Sequence, residues 1–238
     1  MIMEYQTKRA RAATPDDAVD ALRQLMASRF TCRGYLPDAV PDETIASIID
    51  IARGTPSWCN TQPWHVVVTR GEATEAFRAA LVERATQAPQ VESDLPFPVQ
   101  YSGVHAERRR ETGHALYEAL GIERHDKVRR DSQSFENFRF FGAPHVAIIT
   151  IPAELGTYAA VDCGGFIASF LLAAHAHGVA TAPQGALARH ARFIRSYFGL
   201  GEDRHMVCGI AFGYADHDHP ANSFRTRRAE LDDVLKFV

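Results

Sequence analysis

The chain has 238 residues, 46% of them hydrophobic and 23% charged, and a formal net charge of −3 at pH 7. That length carries one large domain or two small ones with a real core, and the composition is ordinary for a soluble globular protein. The slightly acidic balance argues against a general nucleic-acid binder. Four cysteines stand apart at 32, 59, 163 and 208, with no CxxC and no Cys/His spacing of the zinc type. Scattered thiols fit a reducing cytoplasm. The opening MIMEYQTKRARAA is basic but lacks an apolar stretch, so no secretion signal is expected.

Residues 1–13 read as a loose arm. Thr14-Pro15-Asp16-Asp17 then starts a helix, with Thr14 as N-cap, proline at the first position and acids in the first turn, running to about Ser28. Pro41-Asp42-Glu43 opens a second helix. Its stripe of Ile45, Ile48, Ile49 and Ala52 has helical spacing, and Gly54 ends it. Trp64 to Thr69 predicts a buried strand. Helix resumes over Ala73–Thr86, whereas 88–102, with Pro89, Pro96 and Pro98, is expected to be irregular. Ala106–Leu120 is helical in period. PHVAIITI at 144–151 is the clearest strand. Leu155–His177 is almost wholly apolar and predicts a helix buried on most sides. Asp162, Gly164-Gly165 and His175 argue against a membrane span. Ala191–Phe198 reads as helix closed by Gly199, Met206–Tyr214 as a third strand, and Val234–Val238 as a short fourth. The order lacks a strict βαβ repeat, so an α+β fold with a small mixed sheet between helices is expected. One domain is expected, with 86–135 inserted as a helical flap.

Three segments carry candidate chemistry. Arg29, Thr31 and Arg33 alternate after the first helix, and in extended backbone they face one way. With Arg225 and Arg228 from the far end of the chain, such guanidinium forks match a phosphate monoester. Taken singly, each also fits a solvated surface arginine. Pro56-Ser57-Trp58-Cys59-Asn60-Thr61-Gln62-Pro63-Trp64 combines two stiffening prolines, paired carboxamides and two indoles. It suits a flat heterocycle such as isoalloxazine, and equally a turn whose tryptophans only pack. Pro183-Gln184-Gly185 is a place where backbone can approach a ligand edge, or an ordinary turn. Neither GxGxxG nor GxxxxGK[ST] occurs. His175 with His177, the run Asp216-His217-Asp218-His219, and Cys59 are weaker candidates for metal or nucleophile roles. Gly164-Gly165 inside a helix suggests close helix approach, as between subunits.

Together these segments resemble the nitroreductase family of FMN-dependent oxidoreductases, in its nitrobenzoate-reductase-like branch. The matching motifs are Arg29-x-Thr31-x-Arg33, PSWCNTQPWHV at 56–66, PQG at 183–185 and RTRR at 225–228, in family order. The resemblance implies a three-layer sandwich in an intertwined homodimer, with FMN at the subunit interface. It implies that Arg29, Thr31 and Arg33 lie along the phosphate and ribityl side, and that Arg228 holds the phosphate with Arg225 assisting. Pro56, Ser57, Trp58 and Asn60 would reach the ring from the other subunit, and Pro183, Gln184 and Gly185 would lie near flavin N5. Trp58 and Gln184 depart from the small residue and the acid that relatives carry there. The implied reaction is ping-pong transfer of hydride from NADH or NADPH, through N5, to a nitroaromatic or quinone. No side-chain acid, base or metal is assigned, and no nucleic-acid or membrane partner. Alternatives on the same site are substrate dehydrogenation, reductive dehalogenation or a non-catalytic flavin-binding dimer.

Overall fold

In the computed structural model, residues 14–88 and 90–238 are described. The expected N-terminal arm, residues 1–13, and Pro89 lie outside them. The first helix, α1, spans Pro15–Ser28 and begins with a capping box: the Thr14 hydroxyl accepts from the Asp17 amide, and the Asp17 carboxylate accepts from the Thr14 amide. Next come α2 (Asp42–Ala52), β1 (His65–Val68), α3 (Glu72–Gln87), α4 (Gly103–Ala119) and α5 (Lys127–Phe135). The second half holds β2 (His145–Pro152), α6 (Gly156–Ala176), β3 (Ala180–Gln184), α7 (Ala191–Tyr197) and β4 (Arg204–Gly213). Residues 88–102 contain no helix or strand among those described, as their prolines dictate.

The strands form one sheet in the order β1-β2-β4-β3, and every strand pair is antiparallel. The expected mixed character survives only as a lone parallel bridge, Thr31 to Thr181. Successive side chains of a strand face opposite ways, so β2 feeds two cores. Ala147, Ile149 and Ile151 pack with Ile45 and Ile48 of α2 and Phe166 and Phe170 of α6. Val146 and Ile148 pack with Phe77 and Leu81 of α3, Phe140, and Ile194 of α7. The result is helix, sheet, helix.

Four expectations are corrected. The tail 234–238 is not a strand: a single helical turn at Leu231–Asp233 precedes it, and its residues are exposed with no strand beside them. The missing strand is β3, which includes Pro183 and Gln184. Proline is tolerated there because β3 is a sheet edge, where a ladder amide is dispensable. Strand β1 is only part-buried, being the opposite edge. Finally, α6 is buried on one face alone. Cys163, Phe166 and Phe170 are inside, while Tyr158 and Val161 remain 61% and 63% exposed. Glycine at 165 serves approach within the chain, since a Cβ there would lie 3.1 Å from Thr55 Cγ2.

Buried His145 joins three segments. Its Nε2 accepts from the Val40 amide at 3.0 Å, which leaves Nδ1 to donate to the Thr69 carbonyl at 3.1 Å. The ring is thereby fixed in its neutral form. Burial, with a smaller contribution from the Arg70 charge, holds its pKa below the ordinary 6.5. His65, His175 and His190 shift the same way, also chiefly through burial. Where the unfolded chain binds more protons than the folded one, stability falls as pH falls. Urea midpoints should therefore hold above about pH 6.5 and decline below it, down to the depressed folded values. A midpoint that rises on acidification through that window would contradict the assignment.

Candidate functional site

Arg29 leaves α1 in an extended conformation, φ −60° and ψ 137°. The following residues run along the outer side of β3, where the Cys32 amide donates to the Thr181 carbonyl at 2.9 Å. On their other side lies the segment after β4. Tyr35 bridges to Ala215, and the Asp216 amide donates to the Gly34 carbonyl at 3.0 Å. A Cβ at Gly34 would stand 2.2 Å from the His219 ring, so only glycine permits this approach. Asn222 fastens the two segments. Its Oδ1 accepts from the Arg33 amide at 2.7 Å, and its Nδ2 donates to the carbonyls of Gly34 and Asp216, each at 2.8 Å. Residues 31–35 and 214–222 are thus held side by side.

Between them lies a cavity of about 340 Å³, walled by Arg29, Thr31, Arg33, Arg225 and Arg228, with Phe30 and Phe224. Three of its arginines rest against neutral groups. Arg225 lies 4.1 Å over the Phe30 ring and donates to the carbonyls of Asn222 and Phe224, each at 2.8 Å. Arg228 donates to the Thr226 hydroxyl at 2.9 Å. Arg33 sits 5.9 Å and 6.0 Å from the rings of Phe141 and Phe224, and burial pulls its pKa down from the usual arginine value. Ten arginines elsewhere are ion-paired with carboxylates. None of these four is, among the described residues. An unpaired cationic cluster around a concavity is what an anion with several oxygens requires.

The other expected residues divide. Pro183 lines an adjoining pocket of about 170 Å³ together with Thr31 and Arg33. Gln184 is 2% exposed. Its Nε2 donates to the Asn137 carbonyl at 2.7 Å, and its Oε1 has no partner among the described groups. Gly185 is exposed, and a Cβ there would meet nothing within 4 Å. Pro56, Ser57, Trp58 and Asn60 are not brought to the arginines, and none lines that cavity. Their loop lies against α6: the Trp58 amide donates to Asp162 Oδ2 at 3.0 Å, and the indole packs 4.7 Å from Tyr158. Cys59, Asn60 and Gln62 all have positive φ, at 50°, 57° and 46°. Non-glycine residues hold that conformation only where their surroundings enforce it.

Asn222, Phe30 and Phe224 were not indicated by the sequence. A buried asparagine in a Pro-Ala-Asn turn carries no local signal, because its role depends on contacts 189 residues away. The weaker candidates resolve as structure. His175 Nε2 meets the Ser28 hydroxyl at 2.7 Å and His177 Nε2 meets that of Ser47 at 3.0 Å, tying α6 to α1 and α2. The 216–219 run forms a turn in which Asp216 Oδ1 accepts from the Asp218 amide. Among the described residues no group of three potential metal ligands converges.

The fold is a helix–sheet–helix α+β sandwich with an arginine-lined cavity at one edge of its sheet. Sequence comparison makes the class specific. The profile of the Nitroreductase family matches residues 26–214, and the chain belongs to that family. It is 38% identical to a nitroreductase NfnB of Mycolicibacterium smegmatis over 93% of this chain and 94% of that protein. It is 35% identical to a 4-nitrobenzoate reductase of Pseudomonas putida over 92% and 96%. The crystal structure of the FMN-dependent nitroreductase NfnB from Mycobacterium smegmatis in complex with NADPH superposes with a TM-score of 0.88. That match has 37% identity and covers 93% of this chain and all of the other.

Replacing Asn222 with alanine leaves the Arg33 amide and the Asp216 carbonyl without this partner and takes one donor from the Gly34 carbonyl, which keeps the Asp216 amide. The expected cost is about 2–3 kcal/mol of unfolding free energy, read as a lower urea midpoint at unchanged slope. A midpoint within error of the parent would show that the two ends hold together without it.

Proposed function

We propose that the protein is an FMN-dependent oxidoreductase that takes hydride from NADH or NADPH and reduces a nitroaromatic or quinone acceptor. The observation that carries this reading is the set of four guanidiniums, from residues 29–33 and 225–228, around one cavity, with no carboxylate paired to them among the described residues. A phosphate monoester is close to dianionic at neutral pH and takes several charge-assisted bonds, so these residues fit the flavin's phosphate. Bound FMN supplies reversible hydride acceptance at N5, chemistry that no side chain offers.

The residues then divide the remaining work. Arg29, Arg225 and Arg228 hold the phosphate, with the Thr31 hydroxyl beside them. Arg33 borders both this cavity and the adjoining one lined by Pro183. Its charge favours negative charge on the ring edge nearest it. The backbone at Gln184 and Gly185 would border the ring, with open space beside Gly185, where a Cβ would meet nothing within 4 Å. No catalytic acid or base is assigned. Nicotinamide and acceptor use one opening in turn, which gives ping-pong kinetics.

The ring-side loop, Pro56, Ser57, Trp58 and Asn60, comes from a second copy of the chain. Supporting this are apolar side chains that one chain leaves uncovered: Val19, Leu22 and Met26 along α1, Trp58, Tyr158, and Val161 on α6. Exposed apolar side chains grouped on two helices and the adjoining loop favour an interface, and a two-fold dimer is the default geometry. Residues 86–135 form a flap on a single domain, and Thr112 of α4 borders the phosphate cavity. The cell compartment is the cytoplasm.

Purified protein should be yellow, should bleach anaerobically on addition of NADH or NADPH, and should recover colour with a nitroaromatic. Protein that takes up no FMN defeats the proposal. Arg225→Ala and Arg228→Ala should each weaken FMN binding by about 10-fold or more, from the loss of charge-assisted bonds worth about 1.5–3 kcal/mol. The solution mass should be twice that of the chain, and a monomer with full activity would refute the shared site.

A further inference from the structure

Helix α1 ends where the small cavity begins, yet none of its residues is buried. Val19, Leu22 and Met26 are exposed, and the cover proposed for them is a second chain. Among the described residues, one hydrogen bond ties α1 to the rest of its own chain, between Ser28 Oγ and His175 Nε2 at 2.7 Å. The Ser28 hydroxyl gives its one hydrogen to the Gln24 carbonyl at 2.7 Å, so it accepts from His175, whose Nε2 carries the proton. His175 is a fixed point. It stands in the last turn of α6, a helix seated in the core through Cys163, Phe166 and Phe170. His177 makes a similar bond to Ser47 of α2 at 3.0 Å, but α2 also buries Ile45, Ile48 and Ala52.

Arg29 follows Ser28 directly, and its amide still donates to the Leu25 carbonyl of α1 at 3.2 Å. Its guanidinium differs from the others around the small cavity. Arg225 and Arg228 are set by hydrogen bonds of their own, and Arg33 by the Asn222 bond at its amide. Arg33 also enters the wall of a larger concavity, about 1040 Å³, beneath α4 and α5. The Arg29 guanidinium has no hydrogen bond or ion pair among the described residues, so its place follows from where α1 ends. Burial, and then the Arg29 charge, hold the His175 pKa below its ordinary value, which sets ring and guanidinium within one another's field. We propose that His175 is a positioning residue: through Ser28 it fixes the end of α1 and so presents Arg29 to the bound phosphate. This rests on the flavin reading, in which that anion is the phosphate of FMN. A tether of this kind lowers the ordering cost of binding, because Arg29 is in place before the anion arrives.

The test is FMN titration of the flavin-free, full-length protein. His175→Ala should weaken FMN binding about three- to tenfold, the scale of one neutral hydrogen bond. Ser28→Ala, at an exposed position that the core does not need, should do the same. His175→Gln, whose amide can donate from the place of Nε2, should restore most of the loss. His177→Ala should bind FMN as the parent does. On an Arg29→Ala background, His175→Ala should change the affinity by less than about twofold, since a positioning effect vanishes with the group positioned. The assignment is overturned if the loss persists undiminished on that background, if glutamine restores nothing, or if His175→Ala and Ser28→Ala both match the parent. Hydrogen exchange reads the tether without flavin: amides 25–29 should exchange faster in His175→Ala than in the parent, and equal exchange overturns it. A parent that takes up no FMN sinks the oxidoreductase reading instead. The same cycle run with inorganic phosphate then decides whether His175 presents Arg29 to an anion.

Discussion

Four like charges around 340 Å³ are the constraint on which the rest of the architecture depends. Guanidiniums so placed repel one another, and the simplest remedy is a carboxylate among them. This chain does otherwise: Arg225 and Arg228 are steadied by carbonyls, a hydroxyl and an aromatic face, all without net charge. Neutral partners fix the forks without cancelling their field, so the attraction for an anion survives. The cost appears as reduced stability of the empty protein, and a ligand that binds only the folded state returns it by mass action. Anion binding and folding are therefore linked through the same few residues.

That cluster exists only because the ends of the chain meet, and the meeting follows from the sheet. Strand β3 is an edge, so its outer side is free to accept residues 31–32. Its inner neighbour β4 delivers the segment 214–225 to the same place. Asn222 and the absent side chain of Gly34 close the gap between them. The Trp58 loop follows a different principle. It is stiffened locally, through positive-φ residues and a bond from the Gln62 amide to Ser57 Oγ at 2.9 Å. Such strain, of order 1–3 kcal/mol per residue, is held in a loop anchored on α6 rather than in the arginine cavity. In the proposed dimer, the arginine cavity of one chain and the stiffened loop of the other form a single site.

Local signals were the readable part of the sequence. The capping box at Thr14, the isoleucine stripe of α2 and the β-branched run of β2 each act within a few residues, and those elements stand where their residues indicate. β3 was hidden because Pro183 and the glycine after it read as a turn, and only the edge position makes them compatible with a strand. Apolar content made α6 look enclosed, although it cannot say whether the cover comes from the same chain. At the site, charge and spacing pointed to Arg29, Thr31, Arg33, Arg225 and Arg228, which do share one cavity. Asn222 was beyond reach, since its three bonds link segments that only the fold brings together.

Arg33 is where the two cavities become one electrostatic system. It lines the small cavity, the large one beneath α4 and α5, and the narrow pocket beside Pro183. Burial pulls its pKa down, but a guanidinium starts from about 12.5 or higher and stays charged at any physiological pH. One fixed cation thus contributes to every anion that enters either space. A change at Arg33 therefore alters the field of both spaces at once. Arg110 and Arg124 line the large cavity but not the small one. The fold therefore puts most of the charge facing the small cavity and most of the charge facing the large one on different side chains.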